Sequence, residues 1–147
     1  MDLSRPPQVG AVISFCYLWQ REFEAGLAEG LKARPCLVIA VEFERGQGPA
    51  RPWVTVLAIT RQPRRGPGAV AMPADTKRRL GLDDDASWIV LGEANAFLWP
   101  GYDIRALPAA DTWLYGHVGR GLFTTVRRSL ADLLRDTQPI APVDRGG

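Results

Sequence analysis

The sequence predicts a mainly β domain folded into a compact, strongly bent small barrel, with one α-helix near the C-terminus covering part of it. Three observations lead there. Short apolar runs recur along the chain with Gly-, Pro- or Asp-rich turns between them. A single stretch, residues 121–135, keeps the period of an amphipathic helix. The crossover helices that parallel strands require are missing between the runs, so the pairing is antiparallel. The chain has 147 residues. That is one domain's worth, long enough to bury about 68–70% of its unfolded surface without metal or disulfide.

Residues 1–9 read as a loose polar lead. Gly10–Tyr17 is a first strand, with Val12, Ser14 and Cys16 on one face and Ile13, Phe15 and Tyr17 on the other. In residues 18–33, Phe23, Leu27 and Leu31 recur every four positions as on a helix. Gly26 and Gly30 oppose that reading, which leaves a long mobile loop with one helical turn, a class of loop that is functional or disordered in compact domains.

Lys32–Phe43 is the stretch on which the rest is organised. Cys36 to Val41 is unbroken apolar sequence, as in a strand buried on both faces. Pro35 offers no N–H to a ladder and belongs at the strand's first position. It also holds Arg34 extended, so a stiffened guanidinium stands at the mouth of a central strand. Trp53–Thr60 is the natural partner across the Gly- and Pro-rich loop 44–52, forming a hairpin. A loop centred near Gly48 sets Cys36 opposite Thr60. Arg34 and Thr60, 26 positions apart, then share one end of the hairpin.

Beyond it lie a basic loop, a short strand at Ala69–Met72, a short helix over 73–82 stopped by Gly81, and an acidic turn at Asp83, Asp84 and Asp85. Strands follow at Ser87–Leu91, Glu93–Trp99 and Trp113–Val118. The terminal helix presents Leu122, Val126, Leu130 and Leu133 on one face, and Thr137 and Pro139 end it. Residues 137–147 have too little apolar surface to order themselves, so the folded domain is expected over residues 10–136.

Net charge is only +2, but its distribution is uneven. Residues 61–79 carry Arg61, Arg64, Arg65, Lys77, Arg78 and Arg79 against Asp75 alone, a candidate polyanion surface as well as an ordinary solvated face. Cys16 and Cys36 lie inside apolar runs and read as buried, reduced thiols; no Cys/His set has zinc spacing. No signal core and no membrane-length apolar run is present, so a cytoplasmic location without membrane contact is expected.

No P-loop, dinucleotide fingerprint, nucleophile elbow or HExxH occurs. His117 is the single histidine, which excludes a two-histidine acid–base pair; its glycine-flanked strand end suits a structural or surface role. What remains is arginine, hydroxyl and carboxylate. RNA cleavage suits that kit, because the substrate brings its own nucleophile, the 2′-hydroxyl. Arg34 can donate two parallel bonds to phosphate oxygens and stabilise the charge that grows there. Thr60 can bond the phosphate or the 2′-oxygen. Glu29 can assist proton transfer or orient Arg34, though an arginine so close holds it ionised and makes it a weak acceptor. Trp19 can stack on a base or cap the core. With Arg21, Lys32, Arg61, Arg64 and Arg65 it completes the candidate RNA contacts.

The series GAVISF, AEGLKARPCLVIAV and VLAIT, over residues 10–60, resembles the MazF/PemK family of type II toxin–antitoxin toxins. The likeness returns more weakly at SWIVLGEANAF and at residues 116–134. It implies an SH3-like barrel, a homodimer, and cleavage of single-stranded RNA without metal or cofactor to give 2′,3′-cyclic phosphate and 5′-hydroxyl ends. Arg34 would be the catalytic arginine, Thr60 its partner, Glu29 the glutamate before it, and residues 18–33 a mobile segment over the RNA groove. The implied partner is an antitoxin with an acidic segment. Residues 61–86 are richer in Arg and Pro than the family's shorter members, and Asn95 stands where the family often has aspartate or serine. Two other classes stay open: a non-catalytic binding toxin of the same fold, of gyrase-poison type, and an SH3-like interaction module.

Overall fold

The computed structural model describes residues 1–28, 30, 32–43, 51–136 and 142–145. The elements are β1 (Ala11–Phe15), α1 (Gln20–Glu24), β2 (Arg34–Phe43), β3 (Pro52–Thr60), β4 (Ala69–Ala71), α2 (Ala74–Arg79), β5 (Trp88–Val90), β6 (Asn95–Leu98), β7 (Leu114–His117), α3 (Arg120–Asp136) and β8 (Val143–Asp144). The protein is a mainly antiparallel β-sheet with a C-terminal helix. Strands run β4-β5-β3-β2-β1-β7, with β6 added to the free side of β3 and β8 parallel to β6. Among the described residues β4 and β7 end this path without pairing with each other, so the sheet is open. No helix among the described residues is long and apolar enough to cross a membrane.

Both faces of the central hairpin are buried, as the unbroken apolar run of β2 requires. On one side Ile13, Phe15, Cys36, Val38, Val54, Val56, Phe97, Trp99 and Trp113 form a core. On the other, Val12, Leu37, Leu57, Ile59, Ile89 and Leu91 form a second, roofed by Leu80 of the α2 end and by the apolar face of α3, where Val126 is fully buried.

The hairpin's register differs from the expected one. Cys36 pairs with Ala58, not Thr60. Ladder pairs run from Val38↔Val56 directly to Ala40↔Thr55, so Ile39 is an extra residue on β2. A bulge of this kind shifts the pairing by one and increases the local twist. The corrected register, carried two residues on, brings Arg34 level with Thr60.

Two further expectations change. The lead is not loose: Trp99 Nε1 donates to the Leu3 carbonyl at 3.0 Å and Trp113 Nε1 to that of Asp2 at 2.8 Å. Two buried indoles need acceptors, and the first residues supply them. In the tail, expected to lack order, Val143–Asp144 pair with Asn95 and Ala96. Arg145 there forms a 2.6 Å ion pair with Asp103 in which its side chain is 3% exposed. The rest of that segment, with Thr137 and Pro139, lies outside the described residues.

Candidate functional site

At the end of the hairpin where β2 begins and β3 finishes, the two strands part. β1 holds Arg34 through the Phe15↔Arg34 pair, while Thr60 turns to β5 through Thr60↔Trp88. The gap opens a recess of about 590 Å³ lined by Trp19, Arg21, Lys32, Arg34, Thr60, Arg61, Gln62, Asp85 and Trp88. A second recess of about 470 Å³ shares Lys32, Arg34 and Arg61 and continues to Ile59, Leu82, Asp83, Ser87 and Tyr115. The three basic residues therefore form a ridge between two hollows.

Arg34 is half-buried, and its Nε–H is buried without an acceptor among the described residues. Its guanidinium lies 5.1 Å from the centroid of the Trp19 ring; those of Arg64 and Arg21 lie at 5.7 and 5.8 Å. Arg64 repeats the orphaned Nε–H. Arg34 and Arg64 cannot be more than about 11 Å apart, which at an effective dielectric of ~20 means a repulsion of at least roughly 1.5 kcal/mol before salt screening. Cation–π attraction offsets part of this, at about 0.5–2 kcal/mol per contact. An anion between the guanidiniums would offset the repulsion.

Trp19 is fixed from below. It is 7% exposed. Its backbone N–H donates to Glu22 Oε1 at 3.0 Å in the first turn of α1, and Tyr17 meets its ring edge-on at 5.0 Å. Asn95, fully buried, holds both backbone groups of Leu18: Leu18 N–H donates to Oδ1 at 2.9 Å, and Nδ2 donates to the Leu18 carbonyl at 2.8 Å. Glu93 accepts from Gln20 N–H and from the Tyr17 hydroxyl. Burial, with the Glu93 carboxylate beside it, pushes the Tyr17 phenol far above its usual pKa. The segment after β1, expected to be mobile, is thus pinned between Tyr17 and Gln20, and the Trp19 indole serves the arginines rather than lying open to a base.

Thr60 is buried, 4% exposed, and its Oγ1 accepts from Gln62 N–H at 3.1 Å. Thr60 also lines the recess, and no acceptor for its hydroxyl proton is found among the described residues. Arg61 lines both recesses and pairs there with Asp85 at 3.3 Å and Asp83 at 3.7 Å, with its side chain still exposed. Lys77 is buried and donates to Asp83 Oδ1 at 2.9 Å, to Ser87 Oγ at 2.8 Å and to the Asp85 carbonyl. Arg78 pairs with Asp75. Of the six basic residues of 61–79, Arg61, Lys77 and Arg78 are therefore answered by the acidic turn 83–85 and by Asp75. Arg65 is exposed and lines neither recess. Glu29 lies outside the described residues.

Among the described residues no three His, Cys, Asp or Glu side chains gather as a cation site. The Cys36 thiol is pushed well above its ordinary pKa by burial, which makes it a poor nucleophile. The sequence reading missed Asp85, the carboxylate on the rim of the larger recess, and the recess aromatics Trp88 and Tyr115. Strand alternation about the buried Ile89 was the signal available for Trp88. Comparison with protein-family models, curated proteins and solved structures finds no match to this chain.

Proposed function

We propose that this protein is the toxin of a type II toxin–antitoxin system, MazF/PemK-like, an endoribonuclease that cleaves single-stranded RNA without a metal. In this reading the open sheet is a small SH3-like barrel, and the protein acts in the cytoplasm as a homodimer whose groove an acidic antitoxin segment blocks. The observation that carries the reading is the recess that Arg34 and Thr60 line together, where a guanidinium with no ion pair among the described residues stands with a threonine hydroxyl.

The chemistry follows from those groups. Arg34 grips the non-bridging oxygens of the scissile phosphate, and Thr60 donates to the same phosphate. The 2′-oxygen attacks phosphorus and loses its proton, the P–O5′ bond breaks, and the 5′-oxygen leaves with a proton taken from water. Fixed cations matter most as charge builds on the phosphoryl oxygens. Glu29 and Asp85 are the carboxylates proposed to take up the first proton. Asp85 also holds the Arg61 guanidinium at 3.3 Å.

Purified protein incubated with single-stranded RNA in EDTA is expected to leave 2′,3′-cyclic phosphate ends. Arg34→Ala should abolish them, and Thr60→Val should slow them, with the circular dichroism spectrum unchanged. RNA left intact at every concentration would reject the enzyme. If intact RNA goes with growth arrest that Arg34→Ala does not relieve, the binding-toxin class takes its place.

A further inference from the structure

The ridge of Lys32, Arg34 and Arg61 has a hollow on each side, and each hollow has an aromatic wall not yet assigned a role. In the larger recess that wall is Trp88. The residue is half-buried, and its indole has no ring contact and no hydrogen-bond partner for its N–H among the described residues. Its cross-strand neighbours are Thr60 on one side and the small, exposed Ala71 on the other. Ile89, next in sequence, points into the second core and is fully buried.

In the smaller recess the wall is Tyr115. Ladder pairs run from Val12↔Gly116 to Ile13↔Leu114, which makes Tyr115 an extra residue on β7. Bulges re-aim side chains beside functional sites. Here Gly116 accommodates the kink at φ 145°, and Tyr115 packs one side on the second core while lining the hollow. Partial burial raises its pKa, so the hydroxyl stays protonated and can donate. Both hollows fall within the ~300–1,000 Å³ of small-ligand sites.

We propose that the protein reads two successive nucleobases, one in each hollow, with Trp88 and Tyr115 as the platforms and the intervening phosphate on the ridge. The inference rests on the RNA-cleaving reading and adds to it the subsites that set sequence preference. Trp19 cannot fill this role, because its ring is buried under three guanidiniums. Ser87 and Asp83 face the base beside Tyr115, and Gln62 and Asp85 face the base beside Trp88. Base edges rich in donors suit the carboxylate in each hollow.

The test uses short RNAs spanning the mapped cleavage site, with a 2′-deoxy residue at the attacking nucleotide so that they bind uncleaved. Replacing the base on either side of the scissile phosphate by an abasic unit should weaken binding about 5- to 150-fold, the loss expected for one base–aromatic stack. Trp88→Leu and Tyr115→Leu should each weaken the intact RNA by a similar factor. Each should also be indifferent to the abasic unit on its own side while remaining sensitive to the other. Binding by the abasic RNAs within about twofold of the intact one, with cleavage by the wild type still present, overturns the two-base inference alone. Because the abasic RNAs are tried on the wild type, that result does not depend on the variants folding. No cleavage and no Arg34-dependent binding of any RNA removes the enzymatic reading and the inference with it.

Discussion

Asn95→Leu tests whether a buried amide holds the site in place. Leu branches at the same atom as Asn but offers no polar atom, and its larger volume adds overpacking to the loss. Leu18 and Asn95 are 1% and 0% exposed, so water cannot replace the amide unless the segment opens. The substitution orphans the Leu18 N–H and carbonyl, bonded at 2.9 and 2.8 Å. It also removes one acceptor of Arg145 at 2.8 Å, whose ion pair with Asp103 remains. Each orphaned group costs about 1–3 kcal/mol, and the gain from burying an apolar side chain offsets part of the total. The net loss is roughly 2–5 kcal/mol, which for a domain of this size lowers Tm by about 5–15 °C. Thermal melts followed by circular dichroism read the loss, and RNA cleavage read below the lowered Tm should fall with it as Trp19 and its arginines loosen. A Tm within about 2 °C of the wild type would mean that Leu18 finds other partners and that Asn95 does not fix the site.

Arg34→Lys keeps the charge but loses the planar fork and its seat 5.1 Å from the Trp19 ring. Cleavage should fall about 10²–10³-fold, as when one fixed donor is removed; unchanged rates would reject bidentate binding. Gly30→Ala places a methyl 2.4 Å from the Tyr17 carbonyl oxygen, a backbone atom that cannot swing aside. A loss of about 1–3 kcal/mol is expected in denaturant melts, and none would mean that residue 30 moves freely. The Lys77 ammonium donates to Asp83 and holds its carboxyl below the usual carboxylate range. A depressed acid contributes stability above its unfolded pKa and loses it as pH falls through the folded one. Asp83 is half exposed, so the effect is screened and modest. The Tm gap between wild type and Lys77→Met should narrow as pH drops below about 4, whereas a constant gap would separate Lys77 from Asp83.

What the sequence made legible is what local physics decides. Pro35 cannot sit inside a ladder, so the start of β2 and the extended Arg34 could be placed from two residues. The run Cys36–Val41 required two buried faces, and two cores flank it. The spacing Leu122, Val126, Leu130 and Leu133 located α3 to within a residue at each end. The misses belong to groups whose partners are far along the chain. Arg145 meets Asp103 and Asn95 across 42 and 50 residues, and no local pattern in the last residues announces an ordered strand. The lead reads as polar loop because its carbonyls, not its side chains, serve the two tryptophans. Arg61 sits in a visibly basic stretch, yet its charge is answered by Asp83 and Asp85 from the next turn.

The two bulges explain why the candidate site stands where it does. A hairpin with constant register would keep β2 and β3 paired to their ends, and its last residues would be sealed edge to edge. The extra residue at Ile39 adds twist midway along β2. The described ladder stops at Cys36↔Ala58, before Arg34 and Thr60 can pair. Each then takes a different neighbour, Phe15 for Arg34 and Trp88 for Thr60. Two side chains level in register but on diverging strands leave a cleft between them, and it is there that the two hollows meet. The second bulge, at Tyr115, puts an aromatic ring on the far side of the same cleft. Restoring regular pairing by deleting Ile39 should close the cleft and abolish RNA binding. The second core would at the same time lose only a half-buried side chain at its edge.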